Sequence, residues 1–353
     1  MKSFFIGDLE VKVPVVQGGM GVGVSLSGLA SAVANEGGVG VISCAGMGLL
    51  YKNKAESYLN NCIFGLKEEL RKARERSRGV IGVNIMVALS NYVDMVKTAI
   101  AERADVIFAG AGLPLDLPSF LKEGCVTKLV PIVSSARAAK VLCDKWWSAY
   151  GYLPDAIVVE GPKAGGHLGF KRNQIEDEHY ELEELIPQVV EVAKGYEDKK
   201  SIPVIAAGGI MTGGDIDKFI KLGASGVQMG SIFVPTAECD ADDKFKQVYV
   251  DAKKEDVVII DSPVGMPGRA IEGEFIKRVN QGLTKPKSCP FNCIRTCDYK
   301  KSPYCIVMAL YNAAKGNTKG GYVFAGARAY MTEKISSVKE VLTKLKLEYG
   351  DCK

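Results

Sequence analysis

Ala156-Ile157-Val158-Val159-Glu160-Gly161-Pro162-Lys163-Ala164-Gly165-Gly166-His167-Leu168-Gly169-Phe170 reads as a buried strand that opens into a glycine-rich loop. The apolar run 156–159 is too short for a helix and is β-branched, so the glycines and the histidine emerge at the strand's C-terminal end. Parallel α/β folds keep their chemistry at that end. Four glycines within residues 161–169 let backbone approach a ligand and leave N–H groups free to donate. His167 is one of only two histidines in the chain. A glycine-rich turn that merely holds a solvent-facing histidine is the structural alternative for this loop by itself.

Working outward, the same strand-then-helix unit recurs on both sides. Short β-branched runs occur at 13–17, 39–43, 80–86, 106–110, 128–135, 156–160, 202–206 and 226–233. Between them lie helix-like segments at 25–35, 66–76, 92–103, 136–147, 187–194 and 215–222. Pro187 is expected to open its helix, where a missing N–H costs nothing. Almost every strand ends in Gly, Asn, Gln, Ser or Glu, and the pattern predicts an α/β fold, a (β/α)8 TIM barrel. A doubly wound open sheet would carry Gly-x-Gly-x-x-Gly after its first strand and an acid closing its second; here the second strand runs into Ser43-Cys44-Ala45. Beyond Phe233 the alternation stops. Residues 237–325 predict a mostly helical appendage over the barrel mouth, with one strand at 257–260 and a Pro/Gly-rich piece at 262–269. The expected organisation is a barrel over 1–236, a cover with a cysteine cluster over 237–325, and a C-terminal segment, 326–353, whose helix near 335–347 packs back on the barrel.

The chain has 353 residues, 47% of them apolar, enough for a large core. Its 45 basic and 41 acidic residues are interspersed, which argues against nucleic acid or a membrane surface as partner. Residues 13–50 carry one charge, Glu36, but ten glycines break their apolar runs, so a membrane span is not expected there. No secretory segment is recognisable, and the ten cysteines are expected as reduced thiols in a cytoplasm. The absence of Gly-x-x-x-x-Gly-Lys-Ser/Thr excludes a nucleotide hydrolase of the P-loop kind.

In barrels a phosphate commonly sits on the loops after strands seven and eight. Here those are Ala207-Gly208-Gly209-Ile210 and Gln228-Met229-Gly230-Ser231, whose backbone N–H groups would serve without a lysine. Glycines that only relieve strand–helix crowding are the structural alternative. With these elements in hand, Gln17-Gly18-Gly19-Met20-Gly21, Gly82-Val83-Asn84, the loop at 160–169, Ala206-Ala207-Gly208-Gly209-Ile210 and Gln228-Met229-Gly230-Ser231 resemble the nitronate monooxygenase (2-nitropropane dioxygenase-like) family. Its FMN barrel is shared by the flavin-type enoyl-acyl-carrier-protein reductases. The resemblance runs in order over roughly residues 10–235, with a weaker echo at 320–327.

The resemblance implies FMN as cofactor. Its ring would lie against Met20, Gly21 and Asn84 with Gly165 and Gly166 at its edge, and its phosphate on Gly208, Gly209, Gly230 and Ser231. Gln17, Gly18, Gly19, Ser134, Glu160, Ala207, Gln228 and Met229 complete the implied cofactor contacts. His167 would face the substrate as base or hydrogen-bonding partner, a role that its ordinary pKa of ~6.5 suits. Many relatives carry lysine at the end of the fifth strand where this chain has Ser134-Ser135, a departure at the flavin contacts. His179, amid Glu176, Asp177 and Glu178, reads as a solvated surface residue.

The implied activity is oxidation of an alkyl nitronate with dioxygen to a carbonyl compound and nitrite, with the flavin doing the redox work. NAD(P)H-dependent reduction of an enoyl thioester is the alternative, and a non-catalytic barrel holding another phosphorylated ligand is the third. The partners are thus a small-molecule substrate with O2 or NAD(P)H, and a homo-oligomer is left open. Cys289-x3-Cys293-x3-Cys297-x7-Cys305 permits a zinc or iron–sulfur site. At i, i+4 and i+8 of a helix the first three thiols would instead be small buried hydrophobes. With no histidine in the group, no metal is the expectation.

Overall fold

The computed structural model describes residues 1–352, and in it the eight apolar runs form eight parallel strands closed into a barrel. The strands are Val15–Gln17, Val39–Ser43, Val80–Met86, Val106–Gly110, Lys128–Val133, Ile157–Glu160, Val204–Ala207 and Gly226–Met229. Each pairs with the next, and the eighth returns to the first with Val227 opposite Val15. With helices following the strands this is a (β/α)8 barrel.

Alternation along the strands sorts the side chains into two cores. Val16, Val39, Val41, Val106, Phe108, Val130, Val158 and Ile205 gather in one buried cluster inside the barrel. Their neighbours Val15, Ile42, Ile81, Ile107, Leu129, Ile157, Val204 and Val227 belong to the cluster beneath the surrounding helices. Gly82 makes room for the largest interior side chain: a Cβ there would stand 2.8 Å from the Phe108 ring. Burying a ring of that size contributes about 2 kcal/mol. Phe4, Ile6 and Val11, from the antiparallel pair Phe4–Ile6 and Leu9–Val11, join the interior cluster and plug the end opposite the site loops.

Pro187 does not open its helix. The helix runs Leu182–Lys194 with Pro187 inside it, because Leu182, Leu185, Ile186 and Val189 are buried as one stripe and that burial offsets a missing backbone bond. The fifth strand ends at Val133, and the eighth at Met229 followed by the short 3-10 turn Ser231–Phe233.

After the barrel come helices Asp243–Asp251, Glu274–Asn280 and Ile306–Ala314. Val257–Asp261 pairs antiparallel with Pro267–Ile271, a strand hidden in the sequence by its Pro-Gly start. Pro267–Ile271 also pairs with Val323–Phe324 and, from the barrel side, with Gly166–His167. The cover is therefore stitched to the glycine-rich loop by main-chain hydrogen bonds. Asp240 anchors it elsewhere, its carboxylate accepting from the N–H groups of Leu26, Gly28 and Leu29 at 2.7, 3.0 and 3.1 Å at the start of helix Ser27–Asn35. The C-terminal helix Val338–Gly350 packs on helix Gly213–Lys221, so closely that Gly213 would press any Cβ against its last turn. No helix among the described residues is long and apolar enough to cross a membrane.

Candidate active site

A cavity of about 260 Å³ opens at the C-terminal ends of the barrel strands. Gly18, Gly19, Met20 and Gly21 line it after the first strand, Asn84 on the third, and Glu160, Gly165, Gly166 and His167 after the sixth. Ala207, Gly208 and Gly209 follow from the seventh, and Gln228, Met229, Gly230 and Ser231 from the eighth.

Two sequence candidates fall elsewhere. Gln17 is fully buried in the barrel wall: its side-chain amide donates to the Gly18 carbonyl and its oxygen accepts from Val41 N–H at 3.0 Å, so it fixes the first loop from behind. Ser134 does not line the cavity; its hydroxyl donates to the Gly169 carbonyl at 3.1 Å.

The loop at 163–166 is shaped by close approach. A Cβ on Gly165 would stand 2.6 Å from the backbone of Ala325 and Gly326, and the Ala327 N–H donates to the Lys163 carbonyl at 3.1 Å. Phe324, Ala325 and Gly326 therefore reach the cavity wall, which places the echo at 320–327. Arg269, buried, donates through Nη1 to the carbonyls of Pro162 and Ala164 at 2.5 and 2.8 Å. Burial lowers its pKa to about 10.

Where the seventh and eighth strands end, the cavity wall is built from main chain. Gly208 and Gly209 are consecutive residues with φ of 106° and 77°, which only glycine adopts at low cost. The N–H groups of Gly209 and Gly230 have no acceptor among the described residues. Arg328 closes this end, pairing with both carboxylate oxygens of Asp215 at 2.8 and 2.7 Å and donating to the Gly209 carbonyl at 3.2 Å. Burial works against the Asp215 charge, but Arg328 and the N–H groups of Met211 and Thr212 hold its carboxyl below the usual range. Open glycines, unspent N–H groups and a nearby guanidinium fit a phosphate group.

Elsewhere on the cavity wall His167 Nε2 and Ser262 Oγ lie 2.7 Å apart, a hydrogen bond whose donor is set by the ring's tautomer. The ring also meets Phe324 edge-on, centroids 5.0 Å apart. Burial lowers the His167 pKa to about 4, so the ring is neutral at pH 7. Glu160 moves the other way: with no ion pair or side-chain hydrogen bond, burial raises it to about 7. Such opposed shifts in one cleft mark a place where protons are handled. His179 is exposed, beside Asp177 at 2.8 Å.

Glu160 supplies a signed test of stability. Its folded pKa lies above the ~4.3 of an unfolded chain, so the native state binds more protons between those values. The stability this confers is present below pH ~4.3 and is lost as pH rises through about 7. Glu160→Gln removes that loss, so the Tm of the variant minus that of the wild type should grow from pH 5 to 8. A difference independent of pH in paired thermal melts would contradict it.

Ser262, Arg269 and Arg328 went unrecognised in the sequence. Ser262 meets its partner across 95 positions, inside a piece that reads as a plain turn.

A nitronate monooxygenase family model matches residues 2–348. The chain is 30% identical over 278 residues to (3aS,4S,5R,7aS)-5-hydroxy-7a-methyl-1-oxo-octahydro-1H-indene-4-carboxyl-CoA dehydrogenase of Mycobacterium tuberculosis, a match covering 78% of this chain and 67% of that one. To a probable nitronate monooxygenase of Staphylococcus aureus it is 28% identical over 302 residues, 77% of this chain and 79% of that one. Among solved structures, FabK from Thermotoga maritima superposes with a TM-score of 0.73 at 25% identity, over 97% of this chain and 94% of the other. Nitroalkane oxidase from Streptomyces ansochromogenes shares the fold, with a TM-score of 0.72 at 22% identity over 96% of each chain.

Proposed function

Given that the chain belongs to the nitronate monooxygenase family and is an oxidoreductase, we propose that it is an FMN-dependent enzyme that oxidises alkyl nitronates with dioxygen. The observation that carries this is the cavity itself. Its glycine turns at Gly209 and Gly230 suit a phosphate, and its wall also carries a neutral histidine fixed by Ser262. In this reading the barrel at 1–236 would hold the cofactor, 237–325 would cover it, and the C-terminal helix Val338–Gly350 would return the chain to the barrel wall.

FMN, when bound, would supply the redox chemistry for converting a nitronate and dioxygen to a carbonyl compound and nitrite. The chain's own residues supply position and polarity. Gly208, Gly209, Gly230 and Ser231 would hold the phosphate; Met20, Gly21 and Asn84 would lie against the ring, with Gly165 and Gly166 at its edge. A ring nitrogen of pKa about 4 is a weak base, so His167 serves chiefly as a hydrogen-bonding partner that orients the nitro oxygens. Glu160, near 7, is the group suited to accept a proton when a neutral nitroalkane enters.

Ser262→Ala should leave flavin content unchanged and lower kcat/KM about 5-fold, the worth of one hydrogen bond of about 1 kcal/mol. Equal kcat/KM in the two proteins would mean that Ser262 does not set the ring.

A second reading is favoured by the likeness to a carboxyl-CoA dehydrogenase: NAD(P)H-dependent reduction of an enoyl thioester on the same flavin. One sequence of measurements separates the two. The visible spectrum of the purified protein is recorded, then NADH and NADPH are added without oxygen, then a short-chain nitronate with oxygen. A flavin indifferent to nicotinamide that turns over nitronate supports the monooxygenase. Rapid bleaching by reduced nicotinamide supports the reductase, and a colourless protein that cannot be reconstituted with FMN removes both.

A further inference from the structure

From the end of helix Glu274–Asn280 to the start of helix Ile306–Ala314 the chain runs 281–305 without a helix or strand. A stretch of this length inside a folded domain calls for something to hold it. Its own core is slight: Ile294, Ser302 and Tyr304 are its buried residues. The helical arrangement that would make Cys289, Cys293 and Cys297 ordinary buried hydrophobes does not exist, because no helix covers them.

Cys289, Cys293, Cys297 and Cys305 instead line one small cavity of about 20 Å³. All four are free and partly accessible. Among the described residues no three His, Cys, Asp or Glu side chains form a group that could hold a single metal ion. Four thiols that line one cavity without converging on one ion position suit a four-iron cluster, in which each thiolate binds a different iron. Three closely spaced cysteines followed by a fourth farther on also suit a cluster better than the paired ligands usual for zinc.

The position matters as much as the ligands. Ile294 bridges to Leu89, with Ser90 N–H donating to the Cys293 carbonyl at 3.1 Å and Arg295 N–H to Ala88 at 3.0 Å. This docks the cysteine loop on the connection that follows the third barrel strand. Phe291 packs on Tyr58, centroids 5.4 Å apart. On its other side Cys305 immediately precedes helix Ile306–Ala314, whose Leu310 lines the main cavity. Five residues of helix rise span ~7.5 Å, so the two cavities are close neighbours joined by one rigid element.

We propose that Cys289, Cys293, Cys297 and Cys305 ligate an iron–sulfur cluster that staples the 281–305 segment beside the barrel cavity. Ligation takes the four side chains as thiolates and releases their protons. The site stands on the cysteine loop alone and does not depend on the flavin reading.

The full chain, expressed with iron and purified without air, is assayed for iron, acid-labile sulfide and zinc, and examined by electron paramagnetic resonance after dithionite reduction. Iron and sulfide at about 1:1, with a reduced-cluster signal, are expected. In the Cys293→Ser, Cys297→Ser double variant both should fall at least tenfold, while Cys143→Ser, in the core elsewhere, keeps them. Stoichiometric zinc without iron, no iron or sulfide after anaerobic reconstitution, or full loading of the double variant would each overturn the cluster. If the double variant does not fold, Cys289→Ser decides: an altered resonance or lost iron supports the site, and an unchanged spectrum and content overturns it.

Discussion

His167→Ala is expected to keep its flavin and lose about 100-fold in kcat/KM for a nitronate, within the range typical of a positioned proton-handling or hydrogen-bonding group. The ring's contacts are Ser262 and Phe324, not the Gly208–Gly209 or Gly230–Ser231 turns, so its loss should leave the phosphate cradle intact. Its supports explain the size of the effect. Ser262 fixes Nε2 at 2.7 Å and the Phe324 edge fixes the plane, so the ring is held in one orientation before substrate arrives. Its depressed pKa keeps it uncharged between pH 5 and 8, and the fall in kcat/KM should therefore be nearly constant over that interval. Alanine also gives up the ring contact with Phe324, about 1 kcal/mol of stability, so a melt accompanies the kinetics. Wild-type-like turnover with intact flavin would sink the role assigned to His167.

Gly230→Val tests the phosphate cradle. The backbone there has φ of −112°, open to any residue, and a Cβ would meet only the Met20 side chain, at 3.4 Å from its sulfur. The fold should therefore accept valine with a small change in Tm. The branched side chain would nevertheless fill space at a residue that lines the cavity. FMN affinity should drop at least ~100-fold, about 2.8 kcal/mol, read as flavin content after desalting and by titration with FMN. Retention of stoichiometric flavin by Gly230→Val would show that the phosphate lies elsewhere, and with it the polarity assigned to the cavity would fail.

What the residue pattern disclosed follows from where the information lies. Barrel strands announce themselves because each is a short apolar run with inside and outside faces both buried, as at Ile157–Glu160 and Val204–Ala207. The loops that end them carry the glycines, so most of the cavity wall was legible. Strand Pro267–Ile271 was not, since Pro-Gly is a turn signal and only its three partners make it a strand. Ser262, Arg269 and Arg328 escaped for the same reason: their bonds to His167, Pro162 and Gly209 cross 95, 107 and 119 positions, and nothing local marks them. Pro187 misled in the other direction, where a buried stripe outweighed a local rule.

Gly166–His167 is a strand of the covering sheet, with Gly268 opposite His167 and Arg269 opposite Gly166. The histidine and the cover over it must therefore be inherited together. A recombination joint falling between residues 168 and 262 would set a foreign hairpin against the native loop, without a guarantee of the Ser262 hydroxyl or of the Arg269 guanidinium that braces Pro162 and Ala164. This pairing favours changing the substrate by point changes within a matched pair of segments over exchanging covers as cassettes.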